Sequence, residues 1–285
     1  MPKVLFTNVR TALLLLAATA IASVGAQARH VDEIMHKSGI WNQFSHINDT
    51  VKAGAEDHRN AEKAAGQRPV TSEADFARLE RAIDQAFSAE RFRGVASREL
   101  ASLSPAEEEK ILEWLSSDLG MRITRREEKA SEVNEGLRIE KGAQQYYRRV
   151  GPDRRKLCER MVAAGDVGEM QAAMMIDSTL SMLMGIAMVS PGADENLVAD
   201  AKRQLEAQRP KILETATRHA AEVSAFVYQD FNDDDFEAYV NFLETPAARH
   251  MSKLVMKAML EGFQQGGLEL GHYLGKDAGK AERRS

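Results

Sequence analysis

Paired cysteines, strand-like alternation and the common catalytic motifs are all missing from this chain. Cys158 is its single cysteine, so no disulfide can form within the chain and stability has to come from a packed core. The residues around Cys158 follow a helical pattern and nothing in them indicates an activated thiolate. We therefore expect Cys158 to be a buried, unreactive thiol.

Runs that alternate apolar and polar residues are almost absent, and apolar residues recur instead at intervals of three and four. This spacing is typical of amphipathic helices. Apolar faces of this kind include Ile40, Trp41, Phe44, Ile47 and Val51; then Phe76, Leu79, Ile83 and Phe87; then Leu119 and Ile123; and then Leu197, Leu205, Ile212 and Leu213. The chain is therefore predicted to be all-α.

No Gly-rich phosphate loop, CxxC pair, GxSxG elbow or HExxH pair is present, and the seven histidines are scattered. The formal net charge of −5 disfavours a nucleic-acid partner. A mixed cluster in which arginines such as Arg122 and Arg126 alternate with Glu127 and Glu128 is typical of a solvated helix face. The sequence thus favours a binding protein without enzymatic activity, cofactor or metal.

The first 28 residues have the layout of a secretory signal peptide. Lys3 and Arg10 precede the apolar run TALLLLAATAIA, and the A-x-A pattern at residues 26–28 follows. The run is too short to span a bilayer. We predict cleavage after Ala28, with Ala26 as the alternative, and a periplasmic or secreted mature protein that is not integral to the membrane.

Several stretches are predicted to interrupt the helices. Gly54–Pro69 is polar without an apolar face, Ser190–Gly192 is a turn signal, and Gln264–Gly267 resembles a helix stop. We expect Pro210 to kink or split its helix. Gly151, followed by a proline suited to a helix start, marks the boundary between two units. The predicted divisions are 31–150, 151–275 and a disordered tail at 276–285.

An internal repeat appears when the chain is shifted by 128 residues. LSPAEEEKILEWLSSDLGMRI, at 103–123, then aligns without a gap on FNDDDFEAYVNFLETPAARHM, at 231–251. Identity is low, but the apolar register is kept, and Trp114 meets Phe242. We therefore predict two tandem, related helical units that pack into one elongated body.

The repeat gives the three consecutive aspartates, 233–235, a structural role. In the first copy Ser104 is the predicted N-cap and Glu107 completes a capping box. In the second copy Asn232 is the predicted cap and Asp235 lies three residues later. Acidic residues in a first helical turn are stabilised by free N–H groups and the helix dipole. Thr245 is likewise predicted to begin a further helix.

A short helix that ends in an aromatic–Leu pair, followed by Ser or Thr and a corner of small residues (FLETPAARHM), resembles the domain of unknown function 2059. The resemblance covers about Ala220–Gly262 and, with Asp-Leu-Gly replacing Thr-Pro-Ala, Phe92–Ser131. The leading helices of the two copies would be Val31–Val51 and Leu157–Met175. The resemblance implies a helical periplasmic protein, and it implies no reaction or catalytic residues.

The segment MQAAMMIDSTLSMLMGIAM is apolar nearly all round, which indicates burial on several sides. Its methionines are Met170, Met174, Met175, Met182, Met184 and Met188. Three interpretations stay open: a central core helix, an adaptable apolar surface or cavity for a partner or ligand, and copper(I) binding by thioethers.

Our leading hypothesis is a non-enzymatic binding or interaction module of the cell envelope. Its partner would be an apolar ligand or another envelope protein, bound at the methionine-rich segment, and self-association is left open. The alternatives are a hydrolase that uses His250 with a nearby carboxylate, such as Glu244 or Asp230, and a copper-handling protein.

Overall fold

A computed structural model describes residues 30–64, 72–188 and 196–282, and over these residues the chain is helical without a strand. The prediction of an all-α fold is confirmed. The predicted signal peptide and the Ser190–Gly192 turn lie outside the described residues. The helices are α1 (30–37), α2 (Ile40–Gln43), α3 (Ile47–Ala64), α4 (Glu73–Ala86), α5 (Ala89–Leu100), α6 (Pro105–Leu115), α7 (Asp118–Ala130), α8 (Val133–Tyr147), α9 (Pro152–Ala164), α10 (Val167–Ala187), α11 (Leu197–Val227), α12 (Asp233–Leu243) and α13 (Pro246–Glu282), and a 3₁₀ turn, Phe44–His46, joins α2 to α3.

The predicted helix starts are confirmed. Glu107 Oε2 accepts hydrogen bonds from the backbone N–H of Ser104 at 2.8 Å and from its hydroxyl at 2.7 Å. The Asn232 side chain accepts from the N–H of Asp235 at 2.7 Å, and the Thr245 hydroxyl accepts from the N–H of Ala248 at 3.3 Å. These contacts satisfy backbone donors that have no partner within the helix.

Three predicted interruptions are wrong. Residues 54–64 continue α3, because this polar stretch is rich in Ala, Glu and Lys, which favour helix even without an apolar face. The 31-residue helix α11 runs through Pro210 without being split. Gly266 and Gly267 lie inside α13, where they allow close packing and do not stop the helix. The predicted tail also begins within α13, since residues 276–282 are helical.

The buried apolar side chains form two cores, and each core draws on both halves of the chain. The first extends from Val31 to Leu115 and is completed by residues of α13, among them Ala258. The second extends from Ile123 to Val240. Residues before 150 therefore contribute to both cores, as do residues after it, and the unit boundary near Gly151 stays a prediction.

Helix α10 lies between α11 and α13 and touches both through small residues. A Cβ atom added to Gly168 would overlap Thr217 of α11, and one added to Gly271 of α13 would overlap the backbone of Met182. An 18-residue window of α10 has a mean hydropathy of 1.2, so by length and composition this helix could cross a membrane. Within the protein, 17% of that window is buried. One face of α10 is thus packed and another is open.

Helix positions in the two halves repeat at the spacing seen in the sequence. Helices α6 and α12 each have 11 residues and begin 128 positions apart, and α7 and α13 begin at the same separation. The two residues with positive φ in the described chain, Gly39 at 75° and Asp166 at 48°, follow α1 and α9. They interrupt the segments Val31–Val51 and Leu157–Met175, which the resemblance had implied to be leading helices.

Replacing Gly271 with alanine is expected to destabilise the protein by about 1–3 kcal/mol, because the new methyl group would force α10 and α13 apart. The free energy of unfolding from urea titration measures the effect. Gly94→Ala is the matched control, since that glycine is exposed in α5 and its added methyl group meets nothing within 4 Å. We expect Gly94→Ala to stabilise the protein by about 0.5–1 kcal/mol. Equal effects from the two variants would contradict this account of the helix contact.

Candidate functional site

A cavity of about 410 Å³ lies where α7, α11, α12 and α13 meet. Its walls are mostly apolar. They include four methionines and four aromatic side chains, which are Met161, Met170, Met251, Met256, Trp114, Tyr228, Tyr239 and Phe242. Thioethers and aromatic rings can adapt to ligands of varied shape.

Glu127 of α7 is the charged side chain among the described residues that line this cavity. The hydroxyl of Tyr228 donates to Glu127 Oε1 at 2.5 Å, and the hydroxyl of Tyr239 donates to the same oxygen at 2.5 Å. Both tyrosines are buried, whereas Glu127 keeps part of its surface accessible. Among the described residues nothing hydrogen-bonds the second carboxylate oxygen, Oε2.

Burial raises the pKa of Glu127, the two tyrosine hydroxyls oppose that shift, and the nearby Glu128 adds to it. Burial also raises the pKa of Tyr228 and of Tyr239 well above their ordinary values. The two phenols therefore remain hydrogen-bond donors over the physiological pH range. Among the described residues that line the cavity, no cation is present to pair with the Glu127 carboxylate.

Two arginines fix the end of α11, from which Tyr228 projects. Arg126 Nε donates to the carbonyl oxygen of Val227 at 2.7 Å, and Arg154 Nη2 donates to that of Tyr228 at 2.5 Å. Cations at a helix C-terminus stabilise the last carbonyl groups and the dipole. Arg154 also lies over the Phe236 ring at 4.2 Å from its centroid, so the tyrosine is held on a rigid support.

Two of the three aspartates that begin α12 form ion pairs outside the cavity. Asp233 pairs with Arg154 at 2.9 Å, and Asp235 pairs with Arg122 at 2.9 Å. Among the described residues, no group of three His, Cys, Asp or Glu side chains could hold a metal ion. These contacts agree with the structural role predicted from the sequence.

His250 pairs with a carboxylate, but with neither of the partners that we expected. Its Nδ1 lies 2.8 Å from Glu107 Oε1, whereas Glu244 pairs with Arg160. Local sequence patterns could not reveal this contact, because Glu107 and His250 lie 143 positions apart in the chain.

The chain of contacts at His250 differs from that of a hydrolytic triad. Glu107 is the central member, since it accepts from Ser104 on one side and contacts His250 on the other. A nucleophile needs a base that can accept its proton, which places the histidine in the centre. The arrangement is therefore a capping box extended by a histidine.

The Arg122–Asp235 ion pair joins the positions that lie 128 residues from His250 and Glu107. Glu107 and Asp235 are 128 residues apart, and so are Arg122 and His250. Glu107, in the first turn of α6, thus contacts α13, and Asp235, in the first turn of α12, contacts α7. Trp114 stacks on Phe242 between these pairs, with 4.6 Å between ring centroids and 8° between ring planes.

The six methionines of the methionine-rich segment, five in α10 and Met188 directly after it, differ in exposure. Met175, Met184 and Met188 are exposed, whereas Met170, Met174 and Met182 are partly buried. Of the six, Met170 lines the cavity. The fully buried residues of α10 are instead Gly168, Ala172, Ile176 and Gly185.

Cys158 is buried, as predicted, and burial raises its pKa to about 11. The thiol is therefore protonated at neutral pH and is a poor nucleophile.

Glu127 is the residue that the sequence analysis placed wrongly, on a solvated face. It lies four positions after Ile123 and eight after Leu119, so it continues the apolar face of α7. A glutamate in an apolar register is the signal that could have identified it. The aligned position in the second half, 128 residues later, carries Val255.

Lowering the pH should remove the stabilisation that Glu107 contributes. Its hydrogen bonds to Ser104 and its contact with His250 lower its pKa to about 2 from an ordinary value of 4.5. The stabilisation is complete above about pH 4.5 and is lost as the pH falls through 2. At pH 7 we expect Glu107→Gln to cost about 1 kcal/mol.

Urea unfolding at pH 7, 4.5 and 3 measures this loss, and the gap between wild type and Glu107→Gln should narrow as the pH falls. Glu109→Gln changes an exposed carboxylate in the same helix and should show a small gap at every pH. A gap for Glu107→Gln that widens on acidification would disprove the assignment.

Glu127 has the opposite effect on stability. Its folded pKa is raised, so ionisation opposes folding once the pH rises above the unfolded value, and the cost is complete above the folded pKa. Glu127→Gln retains an acceptor for both tyrosines. We expect this variant to be more stable than wild type at pH 8, by on the order of 1 kcal/mol, and about equally stable at pH 4. Lower stability of the variant at pH 8 would contradict the raised pKa.

Comparisons with protein-family models, with curated proteins and with solved structures found no match. The resemblance to the domain of unknown function 2059 therefore stays a prediction.

Proposed function

We propose that this is a non-enzymatic binding protein of the cell envelope, exported by its N-terminal signal, and that its ligand occupies the cavity around Glu127. The observation that carries the proposal is the cavity itself. Its volume of about 410 Å³ lies in the range of small-molecule sites, which are largely apolar with a few oriented polar groups.

We further propose that the two halves are tandem, related units whose mutual packing creates the cavity. Five pairs of lining residues support this, because each pair is separated by 128 positions; they are Trp114 and Phe242, Leu115 and Leu243, Ile123 and Met251, Thr124 and Ser252, and Glu127 and Val255. Because the site would lie at the contact between the two units, both units would be needed to form it.

Binding is favoured over catalysis by the polar groups of the cavity. The hydroxyl of Ser38 donates to the carbonyl of Met35, and that of Ser224 donates to the carbonyl of Ala220. Among the described lining residues there is no histidine that could activate either hydroxyl. Glu127 is likewise already bound by two phenols, which suits it to orient a ligand.

The neutral fluorescent probe N-phenyl-1-naphthylamine should bind in the cavity with increased emission. Met170→Ser should weaken this binding about 10-fold, because it places a hydroxyl in the apolar wall. Fluorescence titration measures the dissociation constants, and circular dichroism checks that each variant is folded.

Two control variants separate the cavity from the outer surface of α10. Met175→Ser changes an exposed methionine on the same helix, and Met174→Ser with Met184→Ser changes two that do not line the cavity. Both controls should bind the probe as wild type does. Loss of binding in the controls together with normal binding by Met170→Ser would move the site to the surface of α10.

A further inference from the structure

The polar group formed by Glu127, Tyr228 and Tyr239 draws on both halves of the chain, and the positions related to it by the 128-residue shift are apolar. The residues 128 positions away are Val255, Leu100 and Ile111. All three belong to the first hydrophobic core, where Leu100 and Ile111 are fully buried. The fold therefore packs this place well with aliphatic side chains and does not need a carboxyl group there.

The carboxyl is also costly where it lies. A buried charge without a paired cation opposes folding, and burial raises the pKa of Glu127. A group that the fold does not need, kept at a cost in stability, is typical of a functional site. Its remaining free oxygen, Oε2, is the atom available to a ligand.

The two arginines that bind the end of α11 have carboxylate partners other than Glu127. Arg126 binds the carbonyl of Val227 and pairs with Glu135 at 3.0 Å. Arg154 binds the carbonyl of Tyr228 and pairs with Asp233. Among the described residues that line the cavity, none carries positive charge, so a cation that reaches Glu127 has to come with the ligand.

The walls around the carboxyl suit the apolar body of such a ligand. Trp114, Tyr239 and Phe242 line the same cavity, and Trp114 stacks on both of the other rings, so they form a rigid apolar wall beside the carboxyl. The methionine side chains cover the rest of the surface and suit an aliphatic chain. A ligand with a charged head and an apolar body would match both parts.

We propose that the ligand is an organic cation, an amine or ammonium group on an apolar body, and that its nitrogen pairs with Glu127 Oε2. This inference rests on the proposed function, because it names the class of ligand for the same cavity. Tyr228 and Tyr239 hold Oε1 and so aim the free oxygen of the carboxylate at the incoming cation. The apolar body of the ligand packs against the methionines.

The test compares three probes of equal chain length: octylammonium, octanol and octanoate. Isothermal titration of the full protein at pH 7.5 should give octylammonium an affinity at least about 10-fold above that of octanol, since a hydrogen bond to a charged group contributes that much. Octanoate should bind more weakly than octanol, because its charge repels Glu127.

Glu127→Gln should abolish the advantage of octylammonium over octanol, and circular dichroism checks that the variant is folded. Glu128→Gln is the matched control, because Glu128 is the neighbouring carboxylate and accepts from Asn42 outside the cavity. It should retain the full advantage.

Equal binding of octylammonium and octanol by the wild type would overturn the cation proposal and leave the proposed function standing. A cation preference that survives in Glu127→Gln would also overturn it. If none of the three probes and no N-phenyl-1-naphthylamine binds, the proposed function fails together with the choice of ligand.

Discussion

The stacking of Trp114 on Phe242 joins the two halves of the protein, and both rings line the cavity. The rings lie at the ends of α6 and α12, just before the corners that lead into α7 and α13. The Glu107–His250 contact joins α6 to α13, and the Arg122–Asp235 ion pair joins α7 to α12. Ring stacking and two polar contacts therefore hold the halves together beside the cavity.

The positions related by the 128-residue shift differ in polarity. Glu127, Tyr228 and Tyr239 form a hydrogen-bonded polar group at the cavity, whereas Val255, Leu100 and Ile111 are aliphatic and belong to the first core. An equal pair of polar groups would have brought two carboxyls together, and like charges at close range disfavour each other. A single carboxyl avoids that repulsion and gives the cavity one polar end.

The sequence predicted the parts of this structure that local rules control. Helix periodicity, the caps at Ser104, Asn232 and Thr245, and the buried state of Cys158 all depend on residues within a few positions of one another. The helical course of residues 54–64 was missed because propensity acts there without an amphipathic pattern.

Contacts between residues that are distant in sequence could not be predicted from local patterns. The partner of His250 lies 143 positions earlier in the chain, and Glu127 was assigned to a solvated face because its arginine neighbours are charged. Its apolar register in α7, and the valine at the aligned position, were both present in the sequence. The polar contacts of Tyr228 and Tyr239 depend on packing between helices that are distant in sequence.

The first core has a consequence for the order of events in folding. Phe92 packs edge-on against Phe263 at 5.3 Å between ring centroids, and Gly262 lies against the same ring. The amino-terminal helices therefore remain without their cover until almost the whole chain has been synthesised. Contacts that span so much of the chain slow folding, so the first core is expected to close only after α13 has been made.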